Sequence, residues 1–422
     1  MSAVVLRGDA AHLPLPDGSV DLIVTSPPYW GVRDYRDGGE SLAGQIGNEE
    51  RWQDYLANLL TCTREWVRVL KPEGSIFVNL GDKYANDAKW GGATSGEHVQ
   101  GLHGKTGIGR AKVRTGIPAK SLIGLPWRYG LACVDDLGLI LRRDNIWHKR
   151  DAMPESVDDR CATKHEYIIH LAKRQDYFSA IDEIREPSNE DAHTLSRRNR
   201  KDSRLVAANA GQTSACNPLG KLPGSVWDIT TVPLNVPERI EHARCCGGRK
   251  RFGCEDGLDH HAAYPPALVQ KILLGWSPSG ICVKCGEGRQ PVVDRQRIDI
   301  RPGYSKTHNG ARDGIPQSGG TKWKTAGRTD VVITGYACAC ADASAPTRPA
   351  VVLDPFGGTG TMALVADVLG RTGITVDRSG DYCRLAMWRT RDPGERARAL
   401  GVPKPPPVPE NQGSLFDDLE AS

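Results

Sequence analysis

Leu353-Asp354-Pro355-Phe356-Gly357-Gly358-Thr359-Gly360-Thr361 decides the fold of this chain. The run Val351-Val352-Leu353 that enters it is short, apolar and β-branched, as a buried strand is. Glycines then make a turn, and residues 359–369 have helical spacing. A strand, a glycine turn and a helix put backbone N–H groups and a carboxylate in one crevice at the strand's carboxyl end. The next strand, Gly373 to Val376, ends in Asp377, an acid placed to bind two ribose hydroxyls. Neither the dinucleotide fingerprint nor a Walker lysine is present, so a nucleoside triphosphate fits poorly.

Outward from this loop the chain alternates strand and helix. Residues 3–7 and 20–25 read as short buried strands. Apolar and aromatic residues at helical spacing fill 49–70 (Trp52, Tyr55, Leu56, Leu59, Trp66, Leu70). Lys71-Pro72-Glu73-Gly74 is expected to end that helix, and 75–80 to follow as a strand. The alternation predicts an α/β fold with a parallel sheet covered on both faces. Residues 83–118 lack periodicity and read as a long mobile loop. Leu122 to Leu137 reads as a helix, Leu139 to Trp147 and Glu166 to Leu171 as strands. Residues 261–275 read as a helix entered through Tyr264-Pro265-Pro266. The tail 393–422 is Pro-rich and expected to be disordered.

Composition narrows the class. The 422 residues are 25% charged and 39% hydrophobic, as in a globular protein, and the formal charge of +4 permits a nucleic-acid partner without demanding one. No apolar run approaches the ~18 residues that span a bilayer. The N-terminus lacks a signal pattern, so a cytoplasmic protein is expected. In that setting the 12 cysteines read as thiols and metal ligands rather than disulfides.

A second segment complements the first. Val24-Thr25-Ser26-Pro27-Pro28-Tyr29-Trp30 follows a strand and offers a hydroxyl, a carbonyl without a competing N–H, a stiffened turn and an aromatic face. Taken together, Asp-Pro-Phe-Gly-Gly-Thr-Gly-Thr and Ser-Pro-Pro-Tyr resemble the cofactor and base-pocket motifs of the amino-methylating DNA methyltransferases. The segments Gly124 to Arg128, Leu141 to Lys149, His165-Glu166-Tyr167 and His261 to Leu268 extend the resemblance over most of the chain. The pocket precedes the cofactor motif, the family's β arrangement, which is a circular permutation.

The resemblance implies a Rossmann-like sheet that binds S-adenosyl-L-methionine and methylates an exocyclic amine of a flipped base in double-stranded DNA, within bacterial, archaeal or phage restriction-modification and with or without a cognate nuclease. It implies Asp354, Phe356, Gly357, Gly358, Thr359 and Gly360 around the cofactor and Asp377 on its ribose. Asp9 matches the adenine-side acid, although a turn or helix-capping aspartate reads equally well. Ser26, Pro27, Pro28 and Tyr29 are the implied catalytic residues. Such an amine is a weak nucleophile because its lone pair is delocalised into the ring. Acceptors for its protons and a flat surface for the extruded base are what the chemistry needs. Ser-Pro-Pro-Tyr is the family's usual form for cytosine N4, and adenine N6 is the alternative. Cytosine C5 chemistry needs a cysteine nucleophile in a Pro-Cys turn, and no Pro-Cys pair occurs. A non-catalytic DNA-binding protein, and a methyltransferase of RNA or protein amides, fit the intact motifs and their order less well.

The expected organisation has five parts. Residues 1–185 form the half with the base pocket, and 186–260 a DNA-recognition region. Residues 261–280 and 346–392 form the cofactor half, 281–345 an insert, and 393–422 the tail. Cys282-x-x-Cys285 and Cys338-x-Cys340 flank the insert, and four thiolates suit a structural zinc ion of zinc-ribbon type. Cys245, Cys246 and Cys254 near His242, His260 and His261 lack a second clean pair. Cys62, Cys133 and Cys383 read as core thiols.

Overall fold

The computed structural model describes residues 3–32, 35–37, 40–85, 115–152, 154–155, 157–186, 219–234, 236–237, 263–298, 328–338, 340, 342 and 344–404. Most of the expected recognition region, residues 86–114 of the expected loop, the Cys245/Cys246/Cys254 group and residues 405–422 lie outside the described residues.

In chain order the elements are β1 (Ala3–Arg7), β2 (Val20–Thr25), β3 (Arg36–Asp37), β4 (Glu40–Ser41), α1 (Trp52–Val69), β5 (Leu70–Leu80), α2 (Leu125–Asp135), β6 (Ile140–His148), β7 (His165–Ala172) and β8 (Val226–Asp228). They continue with α3 (Pro266–Trp276), β9 (Ile281–Cys282), β10 (Gln290–Ile298), β11 (Arg328–Ala337), β12 (Thr347–Arg348), β13 (Val351–Asp354), α4 (Thr361–Val368), β14 (Thr372–Asp377), α5 (Gly380–Arg391) and α6 (Pro393–Leu400). Eight strands form one sheet in the order β1-β14-β13-β2-β5-β7-β6-β8. From β1 to β5 the pairing is parallel, but β7 runs antiparallel to both β5 and β6. The expected parallel sheet is therefore a mixed one.

Alternation along the central strands builds two cores. Leu22, Val24 and Phe77 pack on one face with Val352 and the apolar sides of α3 and α4. Ile23, Ile76, Val78 and Leu80 pack on the other with Tyr55, Leu59 and Trp66 of α1 and Tyr129 of α2. The crossover from β2 to β5 thus covers one face, and the crossover from β13 to β14 the other. Adjacent parallel strands whose crossovers leave in opposite directions open a crevice at their carboxyl ends. That crevice lies between β13 and β2. At the far edge β1 pairs with β14 from Ala3↔Gly373 to Arg7↔Asp377, which joins the two ends of the permuted chain.

Two boundaries differ from the sequence reading. β5 begins at Leu70, directly after α1, because Leu70 pairs with Val20 before an irregularity resets the register to Leu22↔Ser75. The expected disordered tail is a helix over its first turns. The Asp392 side chain accepts from the Glu395 N–H at 2.8 Å, Pro393 occupies the first turn, and Gly401 ends α6 at φ +70°. The helix is anchored by Glu395, which accepts from Arg389 Nε at 2.9 Å with both side chains almost fully buried. Burial presses on the Arg389 charge, and Glu395 offsets it. Removing one partner of such a pair costs about 3–5 kcal/mol. Glu395→Ala is expected to lose stability on that scale in urea unfolding, whereas Glu395→Gln, which keeps an acceptor, loses less.

Candidate active site

The two sequence motifs meet in one cavity of about 1100 Å³ at the switch point of the sheet. Ser26, Pro27, Pro28 and Tyr29 line it from the end of β2, and Phe356, Gly357, Gly358 and Thr359 from the end of β13. Asp377, at the end of β14, and Asp9, after β1, also line it.

The glycine loop follows from close approach. A Cβ on Gly357 would sit 1.7 Å from Thr375 Oγ1, so no other residue fits there without displacing β14. Gly357 N–H donates to the Val376 carbonyl at 2.8 Å, and Gly358 N–H to Asp377 Oδ2 at 2.8 Å. The other Asp377 oxygen accepts from Ser379 N–H at 2.8 Å. Burial raises the Asp377 carboxyl to about 6 despite these two donors. Behind the loop, Arg389 Nη1 donates to the hydroxyls of Thr359 at 2.8 Å and Thr361 at 2.6 Å, so α5 and α6 hold it from outside the cavity.

Asp354 and Gly360 do not line the cavity. Asp354 is 1% exposed and accepts from Thr25 Oγ1 at 2.7 Å and Phe356 N–H at 3.0 Å through one oxygen, and from the Tyr264 hydroxyl through the other. Its carboxyl is also raised to about 6 by burial, opposed by those three donors. This carboxylate therefore positions the loops rather than facing the cavity. Gly360 caps α4 at φ +72°. Asp9 makes a turn and also lines the cavity. Its Oδ1 accepts from Ala11 N–H at 2.9 Å, as a turn aspartate does, while Oδ2 stands 3.9 Å from Arg378 beside the cavity.

The proline turn carries a polar chain on its inner side. Tyr29 donates to Glu166 Oε2 at 2.7 Å, and Asn79 Nδ2 donates to Glu166 at 2.8 Å and to the Tyr29 oxygen at 3.0 Å. Lys149 pairs with the second Glu166 oxygen and stands 4.6 Å from the Trp147 ring centroid. Asn79 Nδ2 also reaches the Ser26 oxygen at 3.5 Å, so Ser26 stands at the cavity end of this chain. Burial first, and Glu166 second, raise the Tyr29 hydroxyl well above its ordinary value. The Tyr29 ring packs closely on Gly81, where a Cβ would stand 2.9 Å from the ring. Tyr55 donates to the Pro28 carbonyl at 3.0 Å, while the Pro27 carbonyl accepts no hydrogen bond from the described residues.

Sequence reading did not single out Asn79, Lys149 or Glu166 as site residues. Glu166 and Lys149 stood within segments of the resemblance, and Asn79 gave one signal, a polar residue ending the apolar run Ile76-Phe77-Val78. The expected zinc ligands stand apart from the cavity. The sulphurs of Cys282, Cys285 and Cys340 all lie within 4.8 Å of one another.

Residues 20–284 match the family model described as DNA methylase, comprising N6 and N4 methyltransferases. The type II methyltransferase M.SmaI of Serratia marcescens is 38% identical over 308 residues, 71% of this chain and 86% of the relative. M.Cfr9I of Citrobacter freundii is 40% identical over 191 residues, 44% of this chain and 59% of that protein. The solved structure titled PvuII DNA methyltransferase (cytosine-N4-specific) aligns over 94% of this chain and 93% of its own, at 16% identity and a TM-score of 0.48.

Thr25 links the two loops through Asp354, and both side chains are 1% exposed. Thr25→Val keeps the shape and leaves a buried carboxylate short of one donor. It is expected to lose about 1–3 kcal/mol in urea unfolding.

Proposed function

From the premise that the chain belongs to the family of N6 and N4 DNA methylases, S-adenosyl-L-methionine-dependent enzymes that methylate amino groups in DNA, we propose that it methylates the exocyclic N4 amine of cytosine. The observation that supports this most is the shared cavity, lined on one side by Ser26 to Tyr29 and on the other by Phe356 to Thr359.

In this reading the glycine loop would hold the cofactor, with Asp377 accepting from its ribose hydroxyls and Asp9 on its adenine side, and the cofactor would supply an electrophilic methyl group near Ser26. An extruded cytosine stacks on Tyr29. Its N4 protons are accepted by Ser26 Oγ and by the carbonyl of Pro27. Both contacts favour a tetrahedral nitrogen with a localised lone pair. That pair would take the methyl group from the bound cofactor, whose sulfur would keep the bonding electrons and leave as a neutral thioether. The excess amine proton leaves toward the Ser26–Tyr29–Glu166 chain. Positioning and fixed dipoles supply the acceleration. Residues 186–260 are proposed to read the DNA target, with Thr231 to Leu234 at the cavity's rim.

Ser26→Ala removes one of the two acceptors and is expected to lower kcat by about 10²–10³-fold with cofactor affinity unchanged. Mass spectrometry of nucleosides from DNA treated with the wild-type chain should show N4-methylcytosine. N6-methyladenine alone would overturn the choice of base, and an absence of both would overturn the reading.

Asp377 also gives a pH signature. Burial raises its carboxyl to about 6 in the free protein, so its contribution to folding stability is greatest below the unfolded value of 3.8 and is lost as pH rises through 6. Ribose hydroxyls donate to the charged form and pull the value down. Cofactor binding near pH 6 should therefore release protons, seen as a buffer-dependent calorimetric enthalpy, and affinity should fall below that pH. Asp377→Asn should bind weakly and without either pH effect.

A further inference from the structure

We propose that Cys282, Cys285, Cys338 and Cys340 hold one structural zinc ion that closes the base of the β10–β11 hairpin. Four sulphurs about 2.3 Å from zinc stand about 3.8 Å apart in a tetrahedron. Three of the four, Cys282, Cys285 and Cys340, lie within 4.8 Å of one another, and Cys338 follows directly on β11, two residues before Cys340.

The backbone around the first pair is shaped for thiolates. N–H groups of Lys284 and Cys285 point at the Cys282 sulphur, and the N–H of Glu287 at the Cys285 sulphur. Gly286, at φ +78°, allows the tight return in which its N–H donates to the Cys282 carbonyl at 2.9 Å.

The second pair is brought in by separate contacts. β12 pairs with β9 through Thr347↔Cys282 and Arg348↔Ile281. Val283 N–H donates to the Pro346 carbonyl at 3.0 Å, and Lys284 pairs with Asp342 across the cluster. β10 starts shortly after Cys285, and β11 ends at Ala337, next to Cys338. The thiols thus clip both ends of the segment 286–337. Beyond Cys340 the chain runs through β12 directly into β13, the strand of the glycine loop. A metal here orders the entry to that strand from a site separate from the cavity. Four soft ligands with no open position select zinc in a structural role. The inference is independent of which base is methylated.

The test is metal analysis of the full chain, purified without added metal and dialysed against EDTA. One zinc per chain is expected, and the double variant Cys285→Ser/Cys340→Ser should carry none. Cobalt loaded into the wild-type chain should give the intense thiolate-to-cobalt absorption of a tetrahedral sulphur site, a readout that does not depend on how the variant folds. A metal-free wild type, iron in place of zinc, or equal zinc in wild type and variant would each overturn the assignment. Equal zinc would point to the Cys245, Cys246 and Cys254 group instead.

Discussion

One buried carboxylate joins the two halves of this enzyme. Asp354 takes a hydroxyl from Thr25, one residue before the proline turn, and another from Tyr264, at the entrance to α3. The two loops that must face each other are separated by most of the chain, yet each is bonded to the same side chain. A charge that deep in the fold is costly unless its lone pairs are filled. Here Thr25, Tyr264 and the Phe356 N–H fill them. The arrangement ties β2, β13 and the entrance of α3 together, so the separation of the proline turn and the glycine loop is held by hydrogen bonds as well as by packing.

The permuted order is compatible with this because of where the strands lie. β2 and β13 are neighbours whatever the order in which the chain visits them, and the first strand of the sheet pairs with its last. The crevice between β13 and β2 depends on the direction of two crossovers, not on which came first. Support for the glycine loop likewise comes late in the chain, through Arg389 and its partner Glu395.

Much of this was legible from sequence, and the exceptions have physical reasons. β2, β13 and β14 were readable because each is a short apolar run ending in a polar residue with a defined turn behind it. The convergence of Ser26 with Gly357 was inferred from resemblance, since spacing along the chain says nothing about which strand ends are neighbours. The antiparallel course of β7 was hidden because alternation is the same in either direction. α6 was masked by the prolines that follow it, although Asp392-Pro393-Gly394-Glu395 is a helix-start signature. Asp354 was expected to face the cofactor; only coordinates reveal that its oxygens are already engaged. Asn79, Lys149 and Glu166 come from three different strands or their ends, and no periodicity links them.

The commitment of the Tyr29 proton to Glu166 reaches beyond the residues it touches. Asn79 donates to Ser26 as well, so the polar chain behind the proline turn leaves the serine oxygen to face the cavity as an acceptor in the proposed reading. A base with an amino group at that point meets acceptors it can satisfy. Thymine or uracil would bring a carbonyl oxygen against them, lone pair against lone pair, with no donor on either side. In the proposed reading, keto bases would thus be rejected by repulsion, ahead of any reading of the DNA target sequence.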